Sequence, residues 1–136
     1  MIEFAWPVRV YYEDTDLGGV VYYANYLKFM ERARTEWLRN LGFEQDELKD
    51  RFDVIFVVKS VELDYLQPAR FNDELLVSVK PIKVRGASLL VEQEIIKQNE
   101  KGILCKGMIK IVSLTASNFT PCPIPGAIMQ KAQHKE

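Results

Sequence analysis

One strongly amphipathic segment, residues 24–41, stands among long β-branched runs, and that contrast narrows the folds open to this chain. Tyr26, Met30, Ala33, Trp37 and Leu41 recur at helical spacing, with Leu27 and Leu38 widening the stripe. The opposite face carries Lys28, Glu31, Arg32, Glu36 and Arg39. Asn40-Leu41-Gly42 supplies the stop, because glycine suits the left-handed residue that ends many helices. An apolar stripe that includes a large Trp needs cover from other elements. A shorter helix is expected over Gln45–Arg51.

The rest of the chain reads as strands. The first is expected over Pro7–Glu13, where Val8-Arg9-Val10-Tyr11-Tyr12 alternates. Val54–Leu66 is long and β-branched, and Pro68 ends it. Glu74–Lys80 and Ile82–Val84 form the next, with Pro81 marking a bulge or an edge. Arg85-Gly86 is a turn, Ala87–Lys97 a strand, Gln98–Gly102 a polar hairpin loop and Ile103–Leu114 the last strand. Pro121, Pro123 and Pro125 then stop regular structure, and residues 130–136 read as a frayed tail. One strand, one long helix and a run of hairpin-joined strands fit an α+β domain, a helix packed on one face of an antiparallel sheet. Open sheet edges favour at least a dimer.

Composition removes several function classes. The 136 residues fit one domain, and a chain of this size buries about 70% of its unfolded surface without disulfides or metal. A net charge of −1 gives no cation excess for nucleic-acid binding. Two cysteines and a single histidine, His134 in the tail, leave too few ligands for a structural zinc site. Cys105 lies in an apolar run and reads as a small core residue. The same scarcity of histidine removes Ser-His-Asp and Cys-His nucleophile systems. No phosphate-binding glycine loop occurs. The N-terminus does not read as a signal peptide, and no apolar run approaches a membrane span, so a cytoplasmic protein is expected.

Chemistry therefore falls to carboxylates, tyrosines, lysines or backbone dipoles, and one segment concentrates them. Glu13-Asp14-Thr15-Asp16-Leu17-Gly18-Gly19-Val20-Val21-Tyr22-Tyr23 sets three acids and a glycine pair just before the long helix. A helix N-terminus offers free N–H donors and partial positive charge. An acid facing such donors can attack a carbonyl they hold, or direct water to it. Asp16 is the first candidate, though an Asp before glycines is also an ordinary turn residue. Glu13 and Asp14 are expected to face solvent or to pair with Arg9 or Arg34. Gly19 serves either a tight turn or close backbone approach to a ligand. Tyr22, Tyr26 and Phe56 are candidate lining residues for an apolar slot, with core packing the alternative. Lys83 and Arg85 are solvated unless the substrate carries phosphate.

The run Val10–Tyr22, with Asn25-Tyr26, Glu31–Glu36, Phe56-Val57-Val58-Lys59 and Asp64-Tyr65, closely resembles the YbgC-type acyl-CoA thioesterases, relatives of the 4-hydroxybenzoyl-CoA thioesterases with the hot-dog fold. The resemblance implies a long central helix wrapped by a curved antiparallel sheet of about five strands. It implies homodimers joined through their sheet edges and paired into homotetramers, with no cofactor. Its catalytic aspartate falls on Asp16, and its oxyanion donor, a backbone amide at the helix start, falls on Tyr23. Many YbgC proteins carry histidine at that position; the 4-hydroxybenzoyl-CoA enzymes carry tyrosine, as here. Arg85 matches a basic position that meets coenzyme A phosphates in relatives, and Lys83 lies beside it. The implied reaction is hydrolysis of an acyl-CoA thioester, with Asp16 as nucleophile or as general base. Acyl carrier protein as thiol carrier, and a non-catalytic acyl-binding scaffold, are the alternatives.

Overall fold

In the computed structural model, which describes residues 4–133, the long helix α1 (Asn25–Asn40) lies against a five-stranded antiparallel sheet of order β1-β3-β4-β5-β2. The strands are β1 (Phe4–Arg9), β2 (Val54–Tyr65), β3 (Glu74–Arg85), β4 (Ser88–Lys97) and β5 (Ile103–Thr115). Helix α2 (Gln45–Phe52) follows α1, and α3 (Gly126–Gln133) follows β5. This is the α+β arrangement expected from the sequence. Among the described residues no helix is long and apolar enough to cross a membrane.

Periodicity explains the core. Tyr26, Phe29, Met30, Ala33, Trp37 and Leu38 are the buried face of α1. Phe29 belongs to that face and is fully buried, whereas Leu27 is exposed. Alternate residues of the sheet meet the helix: Leu75, Val77 and Val79 from β3, Leu89, Val91 and Ile95 from β4, Cys105, Ile109 and Ile111 from β5. Gly107 in β5 keeps this approach close, since a Cβ there would fall 2.5 Å from Leu63 Cδ2 and 3.2 Å from Met30 Cε. Burial pushes the Cys105 thiol up to about 11, in keeping with a core role.

Two boundaries differ from the sequence reading. Strand β1 spans Phe4–Arg9; the Val10 N–H still donates to the Asp73 carbonyl at 2.9 Å, next in the same register, and the chain then leaves the sheet as Tyr12–Asp14 coil into a 3-10 turn. At Pro81 the expected bulge is present, a register shift between Pro81 and Lys83 against β4 within one continuous β3. After the prolines, α3 forms where frayed chain was expected as far as residue 133. The Pro125 carbonyl accepts the N–H groups of Ile128 and Met129, and buried Ile124 and Ile128 anchor that end. His134 lies outside the described residues.

A glutamine in the core links helix to sheet. Gln93 of β4 is fully buried; its Nε2 donates to the carbonyls of Met30 (3.0 Å) and Ser78 (3.2 Å), and its Oε1 accepts from Arg34 Nη1 at 2.9 Å. Burial lowers the Arg34 guanidinium from its ordinary value, and Glu31 opposes that shift. The expected pairing of Arg34 with Glu13 or Asp14 is therefore replaced by this link between helix and sheet. Gln93→Leu, similar in volume, strands a guanidinium N–H and removes one donor each from the Met30 and Ser78 carbonyls. We expect a loss of about 2–4 kcal/mol in urea unfolding, where a well-tolerated apolar swap would cost under about 1.5.

Candidate active site

The loop between β1 and α1 is built on Asp14. Its side chain is buried, 6% exposed, and Oδ2 accepts the Tyr11 N–H at 2.8 Å. Its carbonyl accepts both the Tyr22 N–H at 2.9 Å and Asn25 Nδ2 at 2.8 Å. One residue thus fixes the end of the extended run, the return of the loop and the first residue of α1. Asp14 does not face solvent as expected. Arg9, expected as a partner, pairs with Glu74 at 3.2 Å instead.

Above this anchor the chain makes a tight turn. Thr15 and Val21 bridge, the Asp16 N–H donates to the Val20 carbonyl at 2.9 Å, and the Gly19 N–H donates to the Asp16 carbonyl at 3.0 Å. Gly19 has φ of 78°, a left-handed conformation that glycine adopts without strain. The exposed Asp16 carboxylate accepts the Gly18 N–H at 2.9 Å through Oδ1. Among the described residues its Oδ2 accepts no hydrogen bond. One oxygen therefore orients the group, and the other is available.

The far wall comes from the end of β2 and the segment after it. The Val21 N–H donates to the Ala69 carbonyl at 2.8 Å, Val20 bridges Arg70, and the Phe71 N–H reaches the Gly19 carbonyl at 3.4 Å. The Tyr26 hydroxyl accepts the Ala69 N–H at 3.0 Å. The Tyr65 hydroxyl donates to the Tyr23 carbonyl at 3.0 Å. Ring contacts continue the wall: Tyr22–Tyr23 at 4.9 Å, Tyr23–Tyr65 at 6.3 Å and Tyr26–Tyr65 at 5.5 Å between centroids. Interaction with the Tyr23 hydroxyl raises the Tyr22 phenol above its ordinary value, and the Asp16 carboxylate adds to the rise. Burial raises Tyr26 and Tyr65. These three phenols keep their protons at neutral pH. The Tyr23 N–H, at the approach to α1, has no acceptor among the described residues.

The structure brings Asp16, Gly19, Tyr22 and Tyr23 together on one exposed loop and helix start. Tyr26 lies beneath them in the core. Phe56 sits apart, in the wall of a cavity of about 140 Å³ shared with Arg34, Trp37, Leu38, Ile111 and Ile128, which none of the four loop residues lines. Lys83 and Arg85 are exposed at the end of β3, opposite Leu90 and Ser88, and form no ion pair among the described residues. The sequence reading missed the anchoring by Asp14 and the reach of Tyr65. Neither has a local signal: Asp14 looks like Glu13 in the sequence, and Tyr65 meets Tyr23 only through the fold.

A long helix in an antiparallel sheet, with an acid loop at the helix N-terminus, defines a hot-dog domain of thioesterase type. Residues 18–104 match the thioesterase superfamily, and the chain belongs to that family. It is 41% identical over 131 residues to the acyl-CoA thioesterase YbgC of Haemophilus influenzae, covering 96% of this chain and 95% of that one. It is 42% identical over 126 residues to the acyl-CoA thioester hydrolase YbgC of Escherichia coli O6:H1, covering 93% and 92%. The crystal structure of a probable thioesterase from Bartonella henselae, 31% identical, superposes with a TM-score of 0.85 over 91% of this chain and 100% of that chain.

The division of labour among the acids is testable. Asp14→Ala leaves the Tyr11 N–H without its acceptor, and we expect about 1–3 kcal/mol lost in urea unfolding. Glu13→Ala, an exposed change on the same turn, is expected to stay within about 0.5 kcal/mol.

Proposed function

We propose that this protein hydrolyses acyl-coenzyme A thioesters, with Asp16 and the Tyr23 N–H as its catalytic pair. One observation carries the reading: a carboxylate with an unused oxygen stands on the loop that leads into a helix N-terminus where an N–H has no acceptor. Membership of the thioesterase superfamily supplies the reaction class. The two YbgC relatives, both named for acyl-CoA, supply the substrate class.

In this reading the thioester carbonyl oxygen takes the Tyr23 N–H. Charge that develops on the oxygen is stabilised by that donor and by the helix dipole. Asp16 Oδ2 then has two routes. It attacks the carbonyl carbon, expelling the thiolate and leaving a mixed anhydride that water cleaves. Or it takes a proton from water, whose oxygen attacks directly. Either way one water is consumed, the C–S bond breaks, and acid and thiol leave. A thiolate departs readily, so no strong general acid is needed, which suits a chain with no histidine among its described residues. Tyr22 lines the acyl side, and Arg85 with Lys83 meets the phosphates of the coenzyme.

Assembly follows from the sheet edges. β1 is an edge of six residues that includes Pro7, which has no N–H to donate. β2 is the other edge, twelve residues without proline, with Val58 and Val61 exposed and a bulge between Val58 and Ser60. We propose that two copies join along β2 and that dimers pair further into a tetramer. The β2 contact would bring the Phe56 cavity to the interface between copies.

Thiol release from short, long and aromatic acyl-CoAs tests the activity. The wild type is expected to turn over at least one class, and Asp16→Asn to lose at least about 100-fold in kcat with an unchanged circular dichroism spectrum. Equal rates in both proteins would contradict the assignment of Asp16. Val61→Lys places like charges along the proposed seam, and sedimentation velocity is expected to show a smaller species than the wild type.

A further inference from the structure

Helix α1 begins without the usual device. Its N-cap residue is Ala24, in helical conformation, and no side chain caps the first turn. The aim of the N–H groups there depends on whatever fixes the peptides before the helix. Asp14 holds Tyr22 from one side and Asn25 from the other. Between them, one side chain reaches the Tyr23 backbone: the Tyr65 hydroxyl, on the Tyr23 carbonyl at 3.0 Å.

That carbonyl has a competing partner. The Leu27 N–H, four residues on, would bond to it if α1 started one residue earlier. The Leu27 N–H instead takes the Ala24 carbonyl, at 3.2 Å. The Tyr65 hydroxyl occupies the carbonyl that would extend the helix and so fixes the Tyr23–Ala24 peptide, while the neighbouring Tyr22–Tyr23 peptide, which carries the Tyr23 N–H, is held by the bond from the Asn25 N–H to the Tyr22 carbonyl at 2.8 Å. Extension would draw Tyr23 itself into helical conformation, changing the angle between these two peptides and re-aiming the Tyr23 N–H. We propose that Tyr65 is a positioning residue of this site, one that halts α1 short of Tyr23 and so keeps the Tyr23 N–H turned toward the substrate carbonyl. It touches no reacting atom. Its place at the end of β2, with ring contacts to both Tyr23 and Tyr26, gives the hydroxyl a fixed base. Burial raises its phenol, so it remains a donor through neutral pH.

The inference rests on the proposed role of the Tyr23 N–H, and the test separates the two. Tyr65→Phe keeps the ring and removes only the hydroxyl. We expect kcat to fall about tenfold, the rate equivalent of one lost hydrogen bond, with KM within about twofold. We also expect slower hydrogen exchange at the Leu27 amide than in the wild type, as its 3.2 Å bond to the Ala24 carbonyl gives way to a helical bond to the freed Tyr23 carbonyl, with exchange elsewhere in α1 unchanged. An unchanged kcat with unchanged exchange would overturn the proposal. A loss of kcat explained by a matching loss of folded protein would do the same, since that is a packing role. Retained turnover in Asp16→Asn would strike the catalytic reading instead. The amide exchange in Tyr65→Phe still decides, in that case, whether the hydroxyl sets the start of the helix.

Discussion

Asp14 gathers donors from three places along the chain, one to its buried carboxylate and two to its backbone carbonyl. The side chain takes the Tyr11 N–H; the carbonyl takes the Tyr22 N–H and the Asn25 amide. These bonds convert a strand end into a closed loop and deliver that loop to the first residue of α1. The helix cannot shift without breaking them, because its other face is packed on the sheet through Phe29, Met30, Ala33 and Trp37. The position of everything on the loop follows from this anchor.

Three acids within four residues thus do different things. Glu13 faces water. Asp14 is buried, with its carboxylate held by the Tyr11 N–H and shut off from solvent. Asp16 commits one oxygen, to the Gly18 N–H, and keeps Oδ2 open. A carboxylate free of all contacts would be oriented poorly, and one fully bonded would be inert. The half-used state suits a nucleophile or base, and the pair of glycines makes it accessible: Gly19 supplies the left-handed turn, and a Cβ at Gly18 would press to 3.3 Å on Asp16 Oδ1.

The strands β2 to β5 were legible because long β-branched runs between polar turns have few other uses, and α1 because its apolar residues repeat at helical spacing. What escaped was decided by distant partners. Val8-Arg9-Val10-Tyr11-Tyr12 alternates like a strand throughout, yet Asn72 and Asp73 are the last partners on the β3 side, at Val10, and the Tyr11 N–H turns instead to the Asp14 side chain. Leu27 and Phe29 are both apolar, and only packing chooses Phe29 for the core. The prolines before residue 126 were read as a stop, whereas Pro125 also opens α3. At the site, residue chemistry singled out Asp16, but its role and that of the Tyr23 amide came from resemblance to thioesterases. The bond from Tyr65 to Tyr23 joins residues far apart in the chain and leaves no trace in either neighbourhood.

The most direct test of the central claim is a crystal structure with an acyl-CoA analogue in which a methylene replaces the thioester sulfur. The carbonyl is retained, and the bond that would break is not. The account predicts the carbonyl oxygen about 2.7–3.1 Å from the Tyr23 nitrogen. It also predicts an Asp16 oxygen about 3–3.5 Å from the carbonyl carbon, or one water away from it. A carbonyl bound away from the start of α1, with Asp16 touching neither it nor an intervening water, would contradict the account.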